Sequence, residues 1–129
     1  MAGERGATLF RVAAIFNLAV GLPTLLAFPA LSTLIGAPAP RSVWTDLVGA
    51  VVTLFAWVYW RIAVDPVGCR PYALLGVVGK LAFVAVVWLN FASGGAPAGL
   101  AALVTVDLVF AVLFARWLRD TAVARGPQR

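Results

Sequence analysis

Four apolar stretches of about 20 residues, each closed off by proline, glycine or charge, constrain this chain more than any other feature. A helix rising 1.5 Å per residue needs about that many apolar residues to cross the hydrocarbon core of a bilayer. The first stretch runs from about Thr8 to Phe28, after a polar Met1–Gly6 start, and stops at Pro29; Gly21 and Pro23 inside it predict a kink. A short helical extension is expected over Ala30–Ile35. The second stretch, about Val43–Val64, is entered through Gly36-Ala-Pro-Ala-Pro40 and left at Asp65-Pro66, where the residue before proline disfavours helix. The third, about Pro71–Phe91, has proline in its first turn, where the missing N–H costs nothing, and ends in Ser93-Gly94-Gly95. The fourth, about Ala98–Leu118, follows Pro97; Arg119, Asp120 and Arg125 then begin a polar tail over 119–129 with no expected structure. The expected fold is therefore all-α: a single membrane domain over 1–129, a polytopic four-transmembrane-helix bundle.

Composition removes the alternatives. The chain is 63% hydrophobic and 12% charged, against roughly 45–50% and 25% in soluble domains. So few charges do not cover the surface of a small water-soluble domain. Disorder, a collagen-like repeat and a disulfide scaffold are excluded by the apolar content, the lack of a Gly-X-Y period and the single cysteine, Cys69.

Positive charges near span ends mark the cytoplasmic side. With four spans, both termini and the second loop share a side, which holds Arg5, Arg11, Arg61, Arg70, Arg116, Arg119, Arg125 and Arg129, whereas the opposite side has only Arg41. Both termini are expected in the cytoplasm, in a bacterial cytoplasmic membrane, with Gly36–Ser42 and Ala92–Pro97 as outer loops. Trp60, Tyr72 and Trp117 then form an inner aromatic belt, and Trp44 and Trp88 an outer one. A cleaved signal over Met1–Ala30, with a weak Ala27-Phe-Pro-Ala30 site, is the rival; its apolar stretch is longer than most signal cores, so it is expected to stay as a span. The net charge of +5 does not indicate nucleic acid, because the arginines are spread over four segments at one face without a recognition motif.

In so apolar a chain the informative residues are those that do not belong in lipid. An ionised side chain at mid-bilayer costs about 2.5–3.5 kcal/mol and normally faces the bundle interior with a partner. The candidate intramembrane polar site comprises Lys80, Asp107, Asn17, Asp46 and Thr53. Lys80 lies nine residues past Pro71 and Asp107 eleven before Leu118, roughly 13–14 and 16–17 Å from the same membrane edge. Antiparallel neighbours on a short loop pack together, so a Lys80–Asp107 pair is expected, with Asn17 at similar depth. At about 100° per residue, Asn17 shares a face with Ala13, Gly21 and Thr24. Asp46 shares one with Gly49, Ala50, Thr53 and Trp57, Lys80 with Ala73, Gly76, Phe83 and Val87, and Asp107 with Phe110, Ala111 and Phe114. The faces of the first two helices are expected inward, and each helix has one face with polar content. Asn17 and Thr53 are expected to hydrogen-bond between helices, and Asp46, near the outer edge, to meet Asn90.

Several chemistries are ruled out or unsupported. The chain has no histidine, which excludes imidazole metal ligation, histidine general-base catalysis and histidine-ligated haem; one cysteine leaves no CxxC pair, and Cys69 is expected as an incidental thiol in the Asp65–Arg70 loop. Ser32, Ser42 and Ser93 have no base nearby in sequence, and Gly76-x-x-Gly79 lies inside a span, where it favours close packing. No metal or cofactor is expected. Gly36-Ala-Pro-Ala and Gly95-Ala-Pro-Ala share outer-loop composition, with a repeat of two-helix halves left open.

In size and span number the chain is similar to the small multidrug transporters, whose first helix carries a membrane-embedded glutamate; the corresponding region here offers Asn17, and that function is not carried over. A likeness to small DoxX-like four-helix bacterial membrane proteins is one of architecture. Three functions are open. A non-catalytic accessory or interaction subunit, self-associating or bound to a membrane partner, explains most features with least chemistry and is preferred. A small oligomeric transporter or ligand-binding bundle would use Asp107 and Lys80 toward a lipophilic or cationic small molecule. An intramembrane isomerase or cyclase on a lipophilic substrate would use Asp107 or Asp46 as general acid, or Lys80 as a Schiff base.

Overall fold

The computed structural model describes residues 2–123, which form five helices: α1 (Ala2–Leu26), α2 (Phe28–Leu34), α3 (Val43–Val64), α4 (Arg70–Ala92) and α5 (Ala98–Val123). The expected tail arginines Arg125 and Arg129 lie outside the described residues. Four helices, α1, α3, α4 and α5, are long and apolar enough to cross a membrane. Large apolar side chains such as Ile15, Leu54, Leu75 and Val109 are exposed on their outward faces. Helices apolar all round are what a small membrane protein requires, because lipid in place of water meets the outer surface.

Local chemistry sets most of the helix ends. Ser42 caps α3: its Oγ accepts the Thr45 N–H at 3.2 Å, and Thr45 Oγ1 accepts the Ser42 N–H at 2.9 Å, a reciprocal box that satisfies two otherwise unpaired donors. Gly36 and Gly94, at φ +78° and +77°, close α2 and α4 in the left-handed conformation, which lets the next residue donate back to Ser32 and Asn90 respectively.

Three ends depart from the sequence expectation. The chain runs helically through Pro23 and breaks at Ala27, and Pro29 opens α2 within its first turn, where its missing N–H is harmless. The expected polar start is helical from Ala2, because Gly6 seats directly against Trp117 of α5. The expected tail is helical to Val123, because Arg70 reaches across from α4: its Nη2 donates to the Leu118 carbonyl at 2.7 Å and its Nε to Thr121 Oγ1 at 3.2 Å. The Leu118 carbonyl, which also accepts from Thr121 Oγ1 at 3.1 Å, lies in the last turns of α5, where a cation complements the helix dipole.

The long helices run antiparallel as two hairpins, α1 with α3 and α4 with α5, and α2 crosses between α1 and the start of α5. Within the first hairpin the backbones nearly touch. A Cβ on Gly21 would lie 2.8 Å from the Thr53 nitrogen, and one on Gly49 would lie 2.6 Å from the Leu25 nitrogen, so only glycine permits this approach. The hairpins meet at the end that carries the termini. There Phe10 stacks on Phe114 at 4.5 Å and meets Trp117 edge-on at 5.2 Å, while Tyr59 meets Phe114 edge-on at 5.2 Å. Ala13, Ile62, Ala63, Ala73 and Phe110 complete this core.

Two packing expectations are corrected. The inward face of α3 follows Gly49, Ala56 and Ala63 at seven-residue spacing, with Tyr59 and Ile62, whereas Ala50 and Trp57 are exposed. Helices crossing at a shallow angle keep a 3.5-residue repeat, so a 3.6-residue stripe centred on Asp46 drifts off the contact. Trp117 belongs to the core and not to an interfacial belt, because Phe10 and Gly6 leave room for its ring; Trp44, Trp60, Tyr72 and Trp88 are exposed.

Candidate functional site

Halfway along the bundle the aromatic core ends in a polar cluster. Lys80 continues the inward stripe of α4 one turn beyond Gly76, and Asp107 faces it from α5; Lys80 Nζ donates to Asp107 Oδ1. It also donates to Asn17 Oδ1 at 3.1 Å, and Asn17 Nδ2 donates to the Val52 carbonyl of α3 at 3.3 Å. One small network thus ties all four long helices together. Lys80 is only 5% exposed. Three rings surround its ammonium, those of Tyr59 and Phe110 with centroids 5.3 Å away and Phe16 at 5.9 Å, within the range of cation–π attraction. A buried ammonium requires this much compensation, since an unpaired charge in a low-dielectric interior is strongly destabilising.

The other two expected residues lie elsewhere. Asp46 takes the Arg41 guanidinium, Nε to Oδ1 at 2.7 Å, in a partly exposed pair at the far end of the bundle. That hydrogen bond first, and the carboxylate charge second, raise the Arg41 pKa above its usual value. The expected contact between Asp46 and Asn90 is absent, because Asn90 Nδ2 donates to the Val86 carbonyl of its own helix at 2.8 Å. Thr53 likewise satisfies itself locally: its Oγ1 donates to the Gly49 carbonyl at 2.8 Å, so it contributes no bond between helices.

On the side away from the termini the two hairpins splay apart. Between them lies a cavity of about 610 Å³, a size typical of small-molecule sites. Lys80, Asp107, Asn17 and Tyr59 line its closed end; Phe55, Phe83, Val87 and Val104 are among the apolar walls, and α2 with the following loop covers the far end through Phe28 and Leu31. Of the large apolar lining side chains, the exposed ones, Trp44, Val48, Val51 and Phe83, belong to α3 and α4, which places the opening on the flank between those helices. Such a chamber accepts a lipophilic body and offers a hydrogen-bonding end.

Tyr59 is the residue that sequence reasoning missed. Adjacent to Trp60 near a span end, it resembles a member of an aromatic belt, yet it is 1% exposed and faces the cluster. A Cβ on Gly76 would lie 2.9 Å from its ring, so the glycine of α4 makes its position possible. The signal available in the sequence was the spacing of Tyr59 from Gly49, Ala56 and Ala63 on one helix face. No protein-family model matches this chain, and no curated protein or solved structure is significantly similar to it.

Proposed function

We propose that this chain is a multi-pass membrane protein that holds a lipophilic small molecule between its two helical hairpins. One observation carries the proposal: the buried Lys80–Asp107 pair opens onto a large apolar cavity instead of being sealed within the core. A pair that only fixed helix register would be enclosed by side chains, as the Phe10–Phe114 cluster is. The preference for an accessory subunit, argued from the sequence, therefore gives way to the ligand-binding bundle. The aromatic core blocks the terminus-bearing end, so the cavity is a chamber reached from the membrane and not a through-channel. The arginines Arg5, Arg11, Arg61, Arg70, Arg116 and Arg119 gather at that end, which supports its placement on the cytoplasmic side.

The proposal is tested by native mass spectrometry of the protein extracted from membranes in mild detergent. A bound species of a few hundred daltons should accompany the wild type. It should be lost in Val48→Trp, which fills the mouth from an exposed position without disturbing the core. An apoprotein mass for the wild type, with no uptake of added lipids, would overturn the proposal.

A further inference from the structure

Resting on the cavity-binding proposal, we infer that the ligand is an uncharged amphiphile whose head carries a hydroxyl group, received between Asp107 and Tyr59. The hydrogen bonds at the closed end leave specific valences open. Asp107 accepts from Lys80 through Oδ1, and its other oxygen has no donor among the described residues, while its side chain keeps 18% exposure toward the cavity. Tyr59 is 1% exposed, and its hydroxyl likewise has no partner among the described residues. No fully enclosed side-chain oxygen or nitrogen among those residues is left unpaired, so the Tyr59 hydroxyl keeps an opening, and the cavity it lines provides one. Buried hydroxyls normally find partners, and a nine-tenths-buried phenol without one marks a place for an incoming polar atom. Lys80 uses two of its three N–H donors on Asn17 and Asp107.

The open valences are therefore an acceptor on Asp107 and donors on Tyr59 and Lys80. A hydroxyl is the smallest head that answers both, donating to the carboxylate and accepting from the phenol or ammonium. A carbonyl or ether accepts only and leaves the Asp107 oxygen unpaired. A charged head fares worse. Lys80 and Asp107 already neutralise each other, so a carboxylate is attracted by one and repelled by the other at similar range, and an ammonium meets the same cancellation. What remains is the cost of taking the ion out of water. The overwhelmingly apolar walls above the cluster then call for a long hydrocarbon body.

The experiment compares four probes with one C18 tail: oleyl alcohol, the oleyl sulfate anion, the oleylammonium cation and (Z)-9-octadecene. Each is titrated into the delipidated protein in micelles, with binding read by native mass spectrometry. We expect the alcohol to bind at least ten-fold more tightly than the other three. That preference should vanish in Tyr59→Phe, which removes only a hydroxyl that holds nothing within the protein, and in the double variant Lys80→Met/Asp107→Leu; an alcohol preference that survives in both would overturn the inference. Tighter binding of either charged probe would overturn the inference. Equal binding of alcohol and octadecene would also overturn it while leaving the cavity-binding proposal standing, and failure of all four probes to bind would defeat both.

Discussion

Replacing Asp107 with leucine leaves the Lys80 ammonium buried at 5% exposure, with the Asn17 oxygen and three aromatic rings as its remaining company. Removing one partner of a buried pair costs about 3–5 kcal/mol, and those residual contacts place the expected loss at the low end, about 3 kcal/mol. Lys80→Met strands a carboxylate that still opens to the cavity, so its loss should be smaller, about 1–2 kcal/mol, in the range of an imperfectly satisfied polar group. The double variant removes both charges and fills the site with hydrocarbon, and it should fall within about 1 kcal/mol of the wild type. The two residues would then show a coupling of about 3–5 kcal/mol, at or above the upper end of values for residues in direct contact. Reversible unfolding in mixed micelles, followed by helical circular dichroism, gives all four stabilities. A double variant whose loss equals the sum of the singles would refute the claim that each charge is held by the other, and an Asp107→Leu loss below that of Lys80→Met would refute the asymmetry.

Gly49→Ala places a methyl group 2.6 Å from the Leu25 nitrogen and should cost about 1–3 kcal/mol by forcing α1 and α3 apart; an unchanged melting temperature would show that the two backbones do not approach so closely. Asn17→Leu should destabilise more than Thr53→Val, because Asn17 joins α1 to both α3 and α4 whereas Thr53 bonds within its own helix; the reverse order in the same unfolding assay would contradict the hydrogen-bond assignment. Arg41→Ala should leave the unfolding midpoint unchanged in the same assay, since its pair with Asp46 is exposed and screened; a clear drop would contradict that. The lone thiol, Cys69, lies in the turn before α4 at the arginine-rich end and is partly exposed. A membrane-impermeant maleimide should label it in inverted vesicles and not in intact cells; the opposite result would reverse the proposed orientation.

Much of the architecture was legible because the signals are local. Twenty-residue apolar runs, prolines at helix starts and glycines at helix ends act through the backbone of the segment that carries them. The approximate depth of Lys80, Asp107 and Asn17 followed from a fixed rise per residue, which needs no knowledge of neighbours. Asp46 and Thr53 were misjudged for the complementary reason. Each had a satisfactory partner within a few residues, Arg41 and the Gly49 carbonyl, and a short polar side chain takes a nearby partner before one on another helix.

The sequence by itself determined that the chain makes four long apolar helices, and which polar residues stand at matching depth within them, because hydropathy and helical rise are properties of a single segment. Tertiary structure alone decided that the hairpins close at one end and splay at the other. That outcome depends on how volumes fit across helices: Phe10, Phe114 and Trp117 fill the terminus-bearing half, whereas the polar cluster and α2 bound an unfilled space. It also decided that Tyr59 belongs to the site, since a glycine on another helix makes room for its ring. Helix faces are set by crossing geometry, which emerges only when the surfaces meet.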